Sequence, residues 1–327
     1  MTSHLVDWTP EQFAGVEEQI MTARHNLHET GLFDDQGLLK LFDTHPEYDM
    51  DICTMGASTN QHEWRNGDRN GAASETLLQL LYDGRLWINL RNVRTHHAEV
   101  RRAVDSMYDQ IETNRPGFRA QTRSANLLLS SPGASVPYHL DVPVNMLWHI
   151  RGTKRVWVYP PFDTRFSPQE VLEKICADEM TEDAPFEPSF DDHAQVFDVE
   201  PGQLLTWPQF TPHRVENTGR GLHISLSTEH KNARAIRRIN VHEANLFLRR
   251  SFGLPCRSFD VEGSAAHVKQ AVIRIVRRWR KLVGHEPEKK NVYPKTFQID
   301  LDSPTGVRLF SDADEVLTPE EQVAVVA

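Results

Sequence analysis

Two periodicities divide the chain. Up to about residue 120 apolar residues recur mostly at helical spacing. Short apolar runs broken by Pro and Gly then take over, and after residue 230 helical spacing returns. In the first stretch, Thr9-Pro10-Glu11-Gln12 predicts a helix start, with Thr9 as N-cap, Pro10 in the first turn and Gln12 closing a capping box. Phe13, Val16, Ile20, Ala23 and Leu27 follow on one stripe, so a single helix is expected to run on to Gly31. Further helices are expected over 37–42, 74–82 and 97–113. Strand-like Leu86-Trp87-Ile88-Asn89-Leu90 separates the last two, and Asn114-Arg115-Pro116-Gly117 stops the third.

In the middle stretch, Leu222-His223-Ile224-Ser225-Leu226-Ser227 alternates strictly, the period of a strand with two unlike faces. Residues 163–195 interrupt this region with one helix-like piece (169–177) and an acidic, Pro-rich loop, which serves as a lid or binding loop or is decoration. Over 267–284 a helix carries Val268, Ala271, Val272, Ile275, Val276, Trp279 and Val283 on one stripe. Arg274, Arg277, Arg278, Arg280 and Lys281 flank it. The expected organisation is a helical and mixed region (1–120) packed on a β core (121–230), followed by a C-terminal helical region (231–327).

Composition adds little to fold and something to setting. An apolar fraction of 39% supports a real core. Cys53, Cys176 and Cys256 are far apart, without CxxC spacing, which argues against a disulfide scaffold or a structural zinc and fits a reducing cytoplasm. No signal peptide or membrane span is expected. The net charge of −10 hides a basic segment, 231–290, with fifteen Lys/Arg against five Asp/Glu. The acidic remainder disfavours nonspecific nucleic-acid binding, while the basic segment suits solvated helix faces or an acidic partner.

The chemistry concentrates in three residues. His139 and Asp141 are two apart in Tyr138-His139-Leu140-Asp141, so on a strand both project into one pocket. His213, in Thr211-Pro212-His213-Arg214, must arrive from a distant strand, as a closed barrel or double sheet allows. Two imidazoles and a carboxylate on one face of a metal leave open positions, the signature of non-haem Fe(II) oxygenases. The surroundings are specific: Asn145, then Arg151-Gly152-Thr153-Lys154 leading to Tyr159-Pro160-Pro161, and Glu200-Pro201-Gly202 before the apolar run that ends at Pro208.

This pattern, over roughly residues 124–229, resembles the jumonji-C oxygenases of the cupin superfamily, most closely the asparaginyl hydroxylase branch that includes factor-inhibiting HIF. The resemblance implies a mainly β fold, a double-stranded β-helix (jelly-roll) core with flanking helices. It also implies a 2-oxoglutarate-dependent dioxygenase using Fe(II) and O₂, with succinate and CO₂ as coproducts. In the resembled branch a lysine fifteen residues after the first His grips the far carboxylate of 2-oxoglutarate, and Lys154 stands at that offset. The arginine that many related oxygenases place about ten residues after the last His is replaced by His223. Asn145 and Ser227 match positions that orient the cosubstrate end nearest the metal. Val136 departs from the pattern, which has a hydroxyl residue there; either Ser135 substitutes or Tyr138 does not point inward.

The substrate implied is a peptidyl side chain, an amino acid or a small metabolite. C-terminal helices of the resembled branch form a homodimer, and the 267–284 helix is expected to do likewise. The competing reading is a noncatalytic or isomerase-like cupin metal binder, which Lys154 disfavours because a dicarboxylate-specific cation has no use there.

Overall fold

The computed structural model describes residues 3–54, 65–83, 86–256, 258–284, 294–303 and 306–310, so the end of the basic segment (285–290) lies outside the described residues. The first third contains β1 (Leu5–Val6), α1 (Pro10–Gly15), β2 (Met21–His25), α2 (Asp35–Thr44), β3 (Met50–Thr54), β4 (Arg65–Asp68), α3 (Ser74–Asp83), β5 (Leu86–Leu90), α4 (Val93–His96) and α5 (Ala98–Asn114). The middle contains β6 (Thr122–Ser130), β7 (Ser135–Leu140), β8 (Val144–Arg151), β9 (Lys154–Val158), α6 (Gln169–Cys176), β10 (Gln195–Val199), β11 (Gln203–Thr206), β12 (Pro212–Asn217) and β13 (His223–Lys231). The end contains α7 (Ala233–Phe252), α8 (Gly263–Leu282), β14 (Lys295–Ile299) and β15 (Val307–Leu309).

From β6 to β13 the chain crosses repeatedly between two antiparallel layers. β11, β8, β13 and β6 lie side by side in one sheet, and β10, β9, β12 and β7 form the other. That is the expected double-stranded β-helix. The larger sheet continues past it on both flanks, to β2 and β1 on one side and to β5, β3, β4, β14 and β15 on the other. Residues before 121 and after 231 therefore supply strands to the same sheet as well as helices.

Strand alternation explains where the cores sit. β8 is buried along almost its whole length because both of its faces are covered. Met146, Trp148 and Ile150 face the helices together with Leu127, Leu129, Ile224 and Leu226, forming the main core. Leu147, on the opposite face, meets Val156, Val158, Val215, Leu205 and Trp207 between the sheets. At about 25 cal/mol per Å² of apolar surface, the helix-covered core supplies most of the hydrophobic stabilisation.

The single helix expected to reach Gly31 does not form. The capping box of Thr9 and Gln12 is present, but α1 ends at Gly15 and Met21–His25 pairs with β11. The apolar positions Ala23 and Leu27 fit either period, and pairing with an open sheet edge wins. Glu17 turns the chain in the left-handed region (φ 68°). Its carboxylate is clamped by His230 Nε2 (2.7 Å), Asn232 Nδ2 (2.6 Å) and Arg115 (3.3 Å). Helices α2, α3, α5, α6 and α8 lie close to their expected positions. β14 and β15 were not foreseen; β14 pairs in parallel with β4.

α8 packs on α7 and buries Ala266, Lys269, Gln270 and Ile273, with Arg277 Nη1 donating to Asn240 Oδ1 of α7 (2.9 Å). Its other face carries much of the expected stripe into the open: Ile275 is 69% and Trp279 61% exposed. No described helix is long and apolar enough to cross a membrane.

Candidate metal and cosubstrate site

At one end of the barrel β7 and β12 run antiparallel with His213 opposite His139, and Asp141 follows just beyond β7. His139 Nε2 lies 3.8 Å from Asp141 Oδ1, and His213 Nε2 lies 3.5 Å from Asp141 Oδ2. Candidate ligand atoms of all three fall within 4.8 Å of one another, the one such His/Cys/Asp/Glu group among the described residues. Both rings are oriented from behind. Nδ1 of His139 donates to Pro137 O (2.8 Å), and Nδ1 of His213 donates to Thr211 O (3.1 Å). Since a carbonyl can only accept, each neutral ring has its lone pair on Nε2, the atom turned toward Asp141. Burial, reinforced by His139, pushes His213 down to about 4, so its ring is neutral at physiological pH. Trp207 packs against it at 4.2 Å between ring centres.

Asp141 is also held. Asn145 Nδ2 donates to Asp141 Oδ2 (2.8 Å), and Ser227 Oγ donates to Asn145 Oδ1 (3.0 Å). Here Asn145 and Ser227 form a chain that aims the carboxylate, the usual work of residues behind a metal ligand. Two further carboxyls lie near. Glu182, from the 163–195 insertion, accepts from Val142 N (3.0 Å), and its own carbonyl accepts from Leu140 N (2.9 Å). Glu229 takes weaker bonds from Asn126 (3.2 Å) and Ser124 (3.4 Å). Burial and the nearby Asp141 push Glu182 up to about 8 and Glu229 up to about 7. The insertion thus reaches the ligand-bearing edge, where the Asp183 backbone forms an isolated antiparallel β-bridge with that of His139.

The other end of the barrel is built differently. Lys154, Val156 and Val158 share the inner face of β9, and Val158 is paired with His213. Four residues of strand put the Lys154 backbone roughly 13 Å from the ligand end, which its side chain partly spans. Lys154 is buried, and burial alone holds its amine down to about 8. Among the described residues no hydrogen bond or ion pair reaches its Nζ. It lines a cavity of about 40 Å³ with Val136, Leu147, Ser130 and Asn217.

A bulge between β7 and β12 brings both Val136 and His139 to the inner face despite their odd spacing. Tyr138 points outward, against Tyr159, Phe166 and Phe186, and its hydroxyl donates to Phe166 O (2.5 Å). Ser135 is paired with Glu216, on the outer side. His223, at the place of the missing arginine, is buried against Gly152 (φ 79°), where any Cβ would strike its ring. Neither ring nitrogen makes a well-formed hydrogen bond, and burial next to Lys154 pushes the ring down to about 4.

A cupin-like domain model matches residues 52–232, more than half the chain. The chain belongs to the cupin-like domain family. No curated protein matches it. Among solved structures, YcfD of Escherichia coli is 16% identical, covers 88% of this chain and 71% of its own, and has a TM-score of 0.48. A second structure, described as the ribosomal oxygenase YcfD, gives 16%, 88%, 70% and 0.46. Oxalate decarboxylase of Bacillus subtilis is 18% identical over 41% of this chain and 29% of its own, with a TM-score of 0.24. The family match begins within β3, so it too takes in strands that precede the eight-stranded core.

The donor set fits a six-coordinate divalent transition metal: two imidazole nitrogens and one carboxyl group on one side, with the remaining side open. Sequence reasoning did not find Glu182, Glu229, Ser130 or Asn217. Asn217 and Ser130 lie at strand ends, and nothing in local spacing marks which face they take. Only the acidity of the 163–195 loop hinted at Glu182.

Proposed function

We propose that this cupin is an Fe(II)- and 2-oxoglutarate-dependent oxygenase that hydroxylates a C–H bond of a peptidyl side chain, an amino acid or a small metabolite. The observation that carries the reading is Lys154. An isolated buried ammonium costs several kcal/mol, and a cation in the same barrel as a three-ligand metal face calls for a ligand with an anion at each end.

In this reading His139, Asp141 and His213 hold the iron, and the chain from Ser227 through Asn145 fixes the Asp141 carboxylate. Lys154 grips the far carboxylate of 2-oxoglutarate by a charge-assisted hydrogen bond. Leu147, Val156, Val158, Val215 and Trp207 keep the space between the two ends dry, which strengthens both interactions. Bound iron with O₂ supplies the oxidation that couples decarboxylation of 2-oxoglutarate to succinate with hydroxylation of the substrate. Lys154 together with the missing arginine at His223 supports the asparaginyl hydroxylase branch as the nearest relatives. The open stripe on α8 supports a homodimer, and three free cysteines support a cytoplasmic setting. Iron-dependent formation of succinate from 2-oxoglutarate by the purified chain, lost in His213→Ala, tests the reading. Failure of the iron-loaded protein to bind 2-oxoglutarate would overturn it.

A further inference from the structure

A carboxylate offers about four lone-pair acceptor sites, and a single ammonium with three N–H donors approaching from one side cannot fill them all, so one cation leaves part of a buried carboxylate unsatisfied. Val136, where the resembled pattern has a hydroxyl, offers nothing. Besides Trp87 of β5, the polar residues that share the cavity with Lys154 are Ser130 at the end of β6 and Asn217 at the end of β12. Asn217 is directly opposite Lys154 across the β9–β12 ladder. Its Nδ2 donates to Ser130 Oγ (2.9 Å) and to Ser131 O (2.9 Å). Ser130 is buried, at 2% exposure, and its oxygen is an acceptor in that bond, so its own proton remains to be given. Among the described residues no acceptor takes it. Two donors, the Lys154 ammonium and the Ser130 hydroxyl, thus face one small cavity that contains no acid.

We infer that Ser130 is the second donor to the far carboxylate of the cosubstrate, held in place by Asn217, and that this pair replaces the hydroxyl lost at Val136. The inference rests on the oxygenase reading above. The cavity of about 40 Å³ has room for a carboxylate or about two to three waters, and no more. The pair therefore also sets cosubstrate length. A five-carbon 2-oxo diacid reaches the pocket, whereas a monoacid such as 2-oxobutyrate leaves it empty.

The test is calorimetric binding to the intact 327-residue, Mn(II)-loaded chain without turnover. Hydrogen bonds to a charged group contribute about 1.5–3 kcal/mol, or about 10- to 100-fold in affinity. Ser130→Ala should weaken 2-oxoglutarate by about tenfold or more and leave 2-oxobutyrate unchanged. Ser130→Cys, nearly the same size with a poor donor, should lose a similar factor, and it carries the test if the alanine variant does not fold. Asn217→Ala should lose less, because the serine stays and only its orientation relaxes. Wild-type affinity for 2-oxoglutarate in either Ser130 variant overturns the inference, as does equal weakening of 2-oxobutyrate. If the wild-type protein binds 2-oxoglutarate and Lys154→Ala does not, those results remove only the role of Ser130. If the wild-type protein binds neither acid, the oxygenase reading itself falls.

Discussion

The two ends of the barrel satisfy their polar groups in opposite ways. At the ligand end each metal-facing side chain has a partner behind it: Pro137 O for His139, Thr211 O for His213, and Asn145 backed by Ser227 for Asp141. At the Lys154 end the amine is buried with neutral neighbours and no acid. The first end is organised before anything binds, so its geometry is fixed by the fold. The second holds charge in reserve, and binding of an anion there recovers what burial of the amine costs. On the proposed reading, a metal face gains from rigidity, whereas a cosubstrate pocket gains from an unmet need.

The largest expected effect breaks the organised end. Asp141→Ala or His213→Ala should lose stoichiometric iron and all succinate formation while the fold is kept, read by metal analysis and circular dichroism. Next, Lys154→Met should separate the two ends. It should keep iron but lose about 100-fold in 2-oxoglutarate affinity, because a charge-assisted contact disappears. The same variant should raise the thermal midpoint of the ligand-free protein, since replacing an unpaired buried charge by an apolar side chain of similar volume removes a penalty.

Much of the ligand end was legible because its logic is local. A His-x-Asp pair on a strand declares its own geometry, and Lys154 sits at a fixed offset in a stretch without gaps. The other end was not legible beyond Lys154. Ser130 and Asn217 meet Lys154 only through the pairing of β12 with β9 and the hydrogen bond from β12 to β6. The bulge that turns Tyr138 outward cannot be read from spacing either. At the N-terminus the helical period of Phe13 to Leu27 was misleading for the same reason: Met21–His25 is a strand because β11 offers an edge, not because of anything in its own pattern.

A smaller effect probes the organisation behind the ligands. Asn145→Ala leaves all three ligands in place but frees Asp141, and should cost about 10-fold or more in metal affinity by competition titration. An unchanged affinity would mean that the Ser227–Asn145 chain serves the cosubstrate alone.

The gentlest probe is pH. Burial holds the Lys154 amine at about 8, below its usual 10.5. Between these values the unfolded chain carries a proton that the ligand-free fold has released, so this residue makes stability rise with pH across about 8 to 10.5. Its burial penalty is felt in full below 8. If Lys154 grips the cosubstrate as proposed, binding needs the ammonium, so affinity for 2-oxoglutarate should fall as pH rises above 8, with proton uptake on binding. Lys154→Met should abolish that dependence.

The most direct measurement is a crystal structure of the protein with Mn(II) and 2-oxoglutarate under anaerobic conditions. The account predicts one metal ion bonded to His139 Nε2, Asp141 and His213 Nε2, with the far carboxylate within about 3 Å of Lys154 Nζ. A metal bound elsewhere, or a far carboxylate directed away from Lys154, would contradict it.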